Sequence, residues 1–201
     1  MLLIAGSICR FKSTIHNSNK SLFSVLYSLF SILYSLIPLT LHYFLNIGSN
    51  LGDRKLNISR AIRALEAKYG YFETSKIFES QPWGYDSPNG YANVAVMVIT
   101  DKSPRKVLED IHEIEGRLNK SPHRDAAGNY ADRQLDIDIM AADEISVDEP
   151  DLQIPHPHLA EREFFLVPFA ELAPAWRHPA TGLNCAEMIL ALNSNKTTEN
   201  D

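Results

Sequence analysis

The stretch from residue 133 to residue 140, Arg-Gln-Leu-Asp-Ile-Asp-Ile-Met, has the spacing best suited to chemistry. Its apolar and polar residues alternate, which predicts a β-strand with Asp136 and Asp138 on the same face. Both carboxylates would be ionised at neutral pH and would lie only about 7 Å apart at Cα, so they would repel each other. Mg²⁺ would relieve this repulsion, because it binds one or two carboxylates together with substrate phosphates.

Arg133, just upstream of the two aspartates, offers a fixed positive charge that suits a phosphate. The alternative is that Asp136 and Asp138 only line the solvent-facing side of an amphipathic strand. Aspartate is uncommon in strands, which weakens this alternative. On this stretch alone, a Mg²⁺ site and a solvated strand face both remain open.

The bulk composition narrows the classes of protein. A length of 201 residues predicts one domain with a core of its own. The two cysteines, Cys9 and Cys185, form no disulfide framework and have no metal-ligand spacing, which fits a reducing compartment. Residues 1–41 carry a charge of +3, and residues 42–201 carry −9. This acidic balance argues against a broad nucleic-acid-binding surface.

Residues 21–41 repeat a heptad three times: SLFSVLY, SLFSILY and SLIPLTL. The run is long enough for a membrane span or a signal segment, and residues 1–41 also have the Ser-rich, acid-free composition of a mitochondrial transit peptide. A third interpretation, which we favour, is a dispensable upstream extension. In each case we expect residues 1–41 to lie outside the folded domain. That domain would span residues 42–193, followed by a flexible tail at 194–201.

The remaining chain alternates strand and helix signals. Turn residues, helix caps and apolar periodicity separate the elements. In order, the predicted elements are a strand at 42–47, a helix at 53–69, a strand at 71–78, a strand at 91–100, a helix at 103–119 and the strand at 133–140. The order βαββαβ predicts an α+β, ferredoxin-like core with an antiparallel sheet, helices packed on one face and a C-terminal αβ extension.

At this point the chain resembles the 6-hydroxymethyl-7,8-dihydropterin pyrophosphokinase family of folate biosynthesis. The resemblance covers residues 43–175 and rests on an ordered set of motifs. The matching motifs are Gly48-Ser-Asn-Leu-Gly-Asp53, Gln81-Pro-Trp-Gly84, Tyr91-Ala-Asn93, Ile114-Glu115, Asp132-Arg-Gln-Leu-Asp-Ile-Asp-Ile139 and Ile154-Pro-His156. It implies an enzyme that transfers the pyrophosphoryl group of ATP to the pterin hydroxymethyl group and releases AMP.

The resemblance also implies site residues. In the family the aspartate pair, here Asp136 and Asp138, holds two Mg²⁺ ions and takes part in catalysis with an arginine, here Arg133. The positions that match the family's ATP-binding residues are His112, Glu115, Tyr130, Arg133, His156 and Arg162. The positions that match its pterin pocket are Ser80, Trp83, Tyr91, Asn93 and Phe164.

The segment before the aspartates departs from the family pattern. Many members carry Trp-Gly-Pro-Arg there, whereas Tyr130 takes the tryptophan place and Asp132 the proline place in this chain. The arginine that many members use to stabilise the transition state has no unambiguous counterpart within residues 120–132. Arg124 is the first choice for this catalytic role, and Lys120 is the second.

Two other functions are also compatible with parts of this sequence. A metal-dependent nucleotidyl-transfer domain would also suit two aspartates on a ferredoxin-like sheet, but the charge of −9 argues against it. A non-catalytic binding module would not need Arg133, Asn93 and His156 together with the aspartates. We therefore expect small-molecule partners, no nucleic acid, no membrane contact unless residues 21–41 are an anchor, and a monomer. The expected compartment is the cytoplasm, or the mitochondrion if residues 1–41 are a transit peptide.

Overall fold

The computed structural model describes residues 24–29, 31, 40–70, 72–119, 132–143 and 145–198. These residues fall into two units, one within residues 1–39 and one from Thr40 onward. In the first unit, residues 24–29 are helical. Within the described ranges, no helix combines the length and the apolar character that crossing a membrane requires.

In the second unit, five described strands form one sheet in which every pairing is antiparallel. The strands are β1 (Leu41–Ser49), β2 (Glu73–Thr74), β3 (Phe78–Ser80), β4 (Tyr91–Thr100) and β5 (Asp136–Ala142). Their order across the sheet is β2–β4–β1–β5, and β3 also pairs with β4. This order, with a helix after β1 and another after β4, is the ferredoxin-like arrangement that the sequence predicts.

The two helices of the core begin and end where the sequence indicates. Helix α1 (Arg54–Tyr69) is capped by the Asp53 carboxylate, which accepts a hydrogen bond from the amide of Leu56 at 3.0 Å, and it ends at Gly70 with a φ of 79°. Helix α2 (Pro104–Leu118) follows an N-cap serine and starts with proline. Both helices pack on the sheet face that carries the side chains of Val94, Val96 and Val98.

The predicted strand at 71–78 is wrong in its extent. The structure has two short strands, β2 and β3, instead. The interruption lies at Ser75, whose hydroxyl accepts a hydrogen bond from the amide of Ala95 at 2.9 Å. A side chain therefore takes the place of a backbone carbonyl in the ladder, and regular pairing stops there.

The chain after β5 first adds a hairpin to the core on the α1–α2 side of the sheet and then covers the opposite face with two helices. It forms a hairpin of β6 (Val147–Glu149) and β7 (Leu152–Ile154), then helix α3 (Glu163–Leu172) and helix α4 (Cys185–Thr198). Phe165 and Phe169 of α3 are fully buried against Phe44 and Met140 of the sheet. Burial of each phenylalanine contributes roughly 1.5–3 kcal/mol. Helix α4 continues to Thr198, into the stretch predicted as a flexible tail.

Candidate active site

A row of polar residues crosses three strands on the face that α3 covers only in part. Asp138 of β5 lies opposite Asn46 of β1, and Asp136 lies opposite Gly48. On the other side of β1, Gly48 lies opposite Asn93 of β4. Because side chains alternate along a strand, these positions point to the same face. The predicted alternation of residues 135–140 is thus confirmed, although the strand begins at Asp136 rather than at residue 133.

A larger and a smaller cavity meet at the aspartates. The larger one, about 680 Å³, lies between α2 and the β6–β7 hairpin. The smaller one, about 160 Å³, lies under the loop that follows β3. Asp136, Asp138 and His156 line both cavities. A molecule in one cavity would therefore reach a molecule in the other across these three side chains.

The predicted site residues divide between the two cavities. Besides the three shared residues, the larger cavity has His112 and Glu115 in its lining. The smaller cavity is lined by all the residues predicted for the pterin and by two predicted for ATP: Ser80, Trp83, Tyr91, Asn93, Phe164, Arg133 and Arg162. The predictions for Arg124 and Tyr130 lie outside the described residues.

Arg133 is held on both its backbone and its side chain. Its guanidinium lies 2.7 Å from the Asp136 carboxylate and is only 11% exposed. Its backbone amide donates to the Asn50 side chain at 2.8 Å, and its carbonyl accepts from the Asn50 amide at 3.2 Å. These bonds to Asn50 replace strand pairing at Arg133, which is why β5 starts three residues later.

Asn50 also anchors a polar network that sequence reasoning missed. Its side-chain amide donates to Asp132 at 2.7 Å and to the hydroxyl of Tyr85 at 3.1 Å. The Tyr85 hydroxyl lies 2.8 Å from that of Tyr91, and burial raises the pKa of Tyr91. The network therefore ties the loop over the smaller cavity to the residue before Arg133. Asn50 belongs to the Gly-Ser-Asn turn, but nothing in the sequence marked Tyr85 as its partner.

Trp83 is fixed over the smaller cavity by stacking. The Arg162 guanidinium lies 4.5 Å from the centre of the Trp83 ring and 5.0 Å from the centre of the Phe165 ring. A cation between aromatic faces is attracted by their electron-rich surfaces. The loop after β3 is thus joined to the start of α3, with Trp83 and Arg162 both in the lining of the cavity between them.

His156 is positioned as a neutral hydrogen-bond donor. Its backbone amide donates to the carbonyl of Met140 at 2.8 Å, and its ring Nδ1 accepts from the amide of His158 at 3.0 Å. Burial, followed by the positive charge of Arg162, lowers the pKa of His156 to about 3. The imidazole is therefore neutral at pH 7, and its proton lies on Nε2, because Nδ1 is an acceptor.

Glu115 of α2 braces the strand that carries the aspartates. Its carboxylate accepts a hydrogen bond from the amide of Ile137, between Asp136 and Asp138, at 2.8 Å. The residue is only 7% exposed. Burial, and then the negative charge of Asp136, raise the pKa of Glu115 to about 8. Glu115 therefore supports the site from behind as well as lining the larger cavity.

We expect Glu115 to make stability depend on pH. Its folded-state pKa lies above the ordinary value of 4.5, so its stabilising effect is complete below pH 4.5 and is lost as pH rises through about 8. The free energy of unfolding in urea with EDTA should fall by about 2–4 kcal/mol from this group over that range. Glu115→Gln keeps an acceptor for Ile137 and should remove this part of the pH dependence.

Glu115→Leu is the matched comparison, because it leaves the buried Ile137 amide without its acceptor. It should destabilise the protein by about 1–3 kcal/mol at pH 5, where Glu115→Gln should not. Equal pH profiles for the wild type and Glu115→Gln would contradict the raised pKa.

Asp136 and Asp138 are the carboxylates that could hold a divalent cation. Burial and the negative charge of Asp136 raise the pKa of Asp138, and a bound cation would favour its ionised form. Across the described part of the chain, no cluster of three or more His, Cys, Asp or Glu side chains forms a metal site. The two carboxylates by themselves are a donor set that fits Mg²⁺, which completes its coordination with phosphate oxygens and water.

Comparison with known proteins identifies the family. Residues 44–174 match the family described as 7,8-dihydro-6-hydroxymethylpterin-pyrophosphokinase (HPPK). The chain belongs to this family. A Porphyromonas gingivalis pyrophosphokinase is 36% identical over 138 residues, which cover 68% of this chain and 92% of the relative. The enzyme of the same name from Aquifex aeolicus is 32% identical over 136 residues, 68% of this chain and 82% of the relative.

Solved structures share the HPPK fold. The wild-type HPPK-DHPS of Plasmodium falciparum, crystallised with pterin and p-hydroxybenzoate, superposes with a TM-score of 0.58 at 15% identity. The match covers 84% of this chain and 46% of the Plasmodium chain, so this chain spans about half the length of that protein. At this identity the likeness establishes the fold.

Membership of the HPPK family confirms the predicted reaction. This chain transfers the pyrophosphoryl group of ATP to hydroxymethyldihydropterin in folate biosynthesis. ATP is the co-substrate of the family. The sequence-based choice of the pyrophosphokinase over a nucleotidyl-transfer domain or a binding module is therefore correct.

Proposed function

We propose that the two cavities divide the two substrates of this pyrophosphokinase. ATP occupies the larger cavity between α2 and the β6–β7 hairpin, and the pterin occupies the smaller one. The observation that carries this proposal is that Asp136, Asp138 and His156 line both cavities. Transfer then takes place at their common wall, where the pterin hydroxyl meets the β-phosphate of ATP.

The lining of the smaller cavity supports its assignment to a flat heterocycle. Tyr91 and Phe164 supply aromatic side chains against which a pterin ring stacks. Asn93 supplies an amide with both donors and an acceptor, and it is buried at 1% exposure. Its Nδ2 donates to the hydroxyl of Ser80 at 3.1 Å, so its orientation is set before the ligand arrives.

The larger cavity suits a nucleotide triphosphate. His156, neutral at pH 7, offers its Nε2 proton to a phosphate oxygen without the desolvation cost of a charged group. His112 lies on the exposed side of α2 and lines the same cavity. Within the basic sequence segment 120–132, we assign to Arg124 the stabilisation of the charge on the transferred group, and to Tyr130 a further ATP contact.

In the reaction, the pterin hydroxyl oxygen forms a bond to the β-phosphorus. The bond from that phosphorus to the oxygen retained by AMP breaks, and the hydroxyl proton is released. Asp136 and Asp138 would hold two Mg²⁺ ions, which neutralise phosphate charge and favour in-line displacement when bound. Arg133 adds a fixed positive charge beside Asp136, while Trp83 limits the access of water to the smaller cavity. We propose that the enzyme is active as a monomer in the cytoplasm.

Two single variants test the division of substrates. Asn93→Ala should raise the KM of the pterin by about tenfold or more, because a buried hydrogen-bonding amide is lost, and should leave the KM of ATP within about twofold.

His112→Ala should raise the KM of ATP a few-fold and leave that of the pterin unchanged. Both KM values are measured from AMP release by the full chain in the presence of Mg²⁺, with a control reaction that lacks pterin. If both variants changed the KM of the same substrate, the division would be wrong.

A further inference from the structure

Asn46 is a buried polar residue of the smaller cavity that sequence reasoning did not select. It lies in the middle of β1, opposite Asp138 on one neighbouring strand and Ala95 on the other. It is 2% exposed, and its side chain lines the cavity assigned to the pterin. A buried polar side chain in the central strand of a sheet requires hydrogen-bond partners, so its contacts indicate its role.

The orientation of the Asn46 amide follows from its neighbours. Asn93 directs its Nδ2 to the carbonyl of Phe78 at 3.5 Å and to the hydroxyl of Ser80 at 3.1 Å. Because a carbonyl only accepts, the remaining Oδ1 of Asn93 faces Asn46. The Nδ2 of Asn46 lies 3.5 Å from that oxygen. The amide nitrogen of Asn46 is therefore directed toward Asn93, which leaves its Oδ1 on the other side.

That oxygen is a buried acceptor in need of a donor. Within the described ranges, Oδ1 of Asn46 has no hydrogen-bond partner. A buried acceptor without a donor destabilises the folded state. Asp138, directly opposite on β5, makes no hydrogen bond to this oxygen either. The site therefore calls for a ligand that brings an N–H or O–H group between Asn46 and Asp138.

We propose that Oδ1 of Asn46 accepts a hydrogen bond from the hydroxymethyl group of the pterin. This inference rests on the proposed division of substrates and deepens it. In this arrangement Asn93 forms hydrogen bonds with the pterin ring, and the ATP phosphates lie on the side of Asp138. The hydroxymethyl group, which must extend from the ring to the phosphates, therefore lies beside Asn46. A hydrogen bond from the hydroxyl proton to Oδ1 fixes the rotation of the C–O bond. A lone pair of the hydroxyl oxygen is then directed toward the β-phosphorus.

Gly48 leaves the room that this contact needs. A Cβ at Gly48 would lie 3.2 Å from Oδ1 of Asn93 and 3.7 Å from Nδ2 of Asn46. The two amides and Gly48 thus form one continuous floor of the cavity, with Asn93 at the ring end and Asn46 at the hydroxymethyl end. Asn46 is a substrate-positioning residue at the junction of the two substrates.

A cycle of two ligands and two proteins tests the contact. Equilibrium binding of 6-hydroxymethyl-7,8-dihydropterin and of 6-methyl-7,8-dihydropterin, which lacks the hydroxyl, is measured with the full chain, Mg²⁺ and a nonhydrolysable ATP analogue. Asn46→Ala should weaken binding of the hydroxymethyl compound by about tenfold and that of the methyl compound by less than about twofold. The wild-type preference for the hydroxymethyl compound should shrink by the same factor.

Ser80→Ala is the matched control, because it loosens Asn93 without touching Asn46. It should weaken both ligands equally. Equal losses for both ligands in Asn46→Ala, or no loss for either, would overturn the contact. Failure of the wild type to bind either compound would overturn the assignment of the smaller cavity, and the contact with it. If Asn46→Ala does not fold, as judged by its melting temperature, Asn46→Ser replaces it, since serine is too short to reach the hydroxyl.

Discussion

Asp138→Asn is expected to lower the turnover number by several orders of magnitude while the fold remains intact. The substitution keeps the volume and removes one of the two carboxylates at the wall common to both cavities. In this family's reaction, the charge on the phosphates must be neutralised while a hydroxyl attacks. An amide at position 138 binds a divalent cation far more weakly than a carboxylate does. Single-turnover AMP release with saturating ATP and pterin measures the loss.

The same variant should not be less stable in the absence of metal. Asp138 is buried beside Asp136, and both features raise its pKa, so its ionised form is disfavoured in the folded protein. Removing that charge relieves repulsion, and the melting temperature in EDTA should stay equal or rise. Stabilisation combined with loss of activity is the usual behaviour of a functional site that carries electrostatic strain.

Asp101→Asn provides the control, because Asp101 is an exposed carboxylate just after β4 that lines neither cavity. Its turnover and melting temperature should match those of the wild type. Near-normal turnover of Asp138→Asn would show that the aspartate pair does not hold the catalytic cations. A fall in melting temperature in EDTA would show that the pair has a structural role instead.

Local sequence signals were sufficient for most of the fold. Alternation at residues 135–140 placed the aspartates on one face, since the period of a strand is fixed by its geometry. Asp53, Gly70 and Ser103 marked helix boundaries because they satisfy or terminate backbone hydrogen bonds through their own chemistry. These signals act over a few residues, and for that reason they can be read without knowing what packs against them.

Contacts between distant segments were beyond this kind of reasoning. Asn46 lines the cavity because the strand register places it opposite Asp138, 92 positions later in the chain. Its neighbours in the sequence indicate only an apolar strand. Asn50, in the turn after β1, and Tyr85, in the loop after β3, contact each other because both bind the carboxylate of Asp132. Register and loop convergence are set by tertiary packing, which a single sequence does not display.

The family motifs supplied the residues that local patterns did not. The resemblance to the family points to His156 and Asn93, and both side chains line the cavities. At Glu115 the resemblance is less informative. It implies only a contact with ATP, whereas the structure also shows a hydrogen bond from the amide of Ile137 to this side chain. A family motif therefore predicts where a side chain lies, but it does not predict which atoms that side chain bonds to.

Arg133→Met is expected to separate turnover from cation binding. In the structure the Arg133 guanidinium lies 2.7 Å from Asp136, so it competes with a cation for that carboxylate. Once phosphates and cations are bound, its charge is available to the transferred group. Removal of one such charge typically lowers turnover by about 10²-fold or more. Binding of Mn²⁺, a paramagnetic substitute for Mg²⁺, in the absence of nucleotide should be unchanged or tighter.

Arg177→Met is the control for this experiment, because Arg177 is an exposed arginine that pairs with Glu187 and lines neither cavity. It should leave both turnover and Mn²⁺ affinity at wild-type values. Wild-type turnover in Arg133→Met would remove Arg133 from the transfer step. If turnover and Mn²⁺ affinity fell in parallel, Arg133 would act only by shaping the carboxylate pair. The expected opposite behaviour of the two measurements follows from the position of Arg133, because the positive charge that would assist phosphate transfer would also repel the cation.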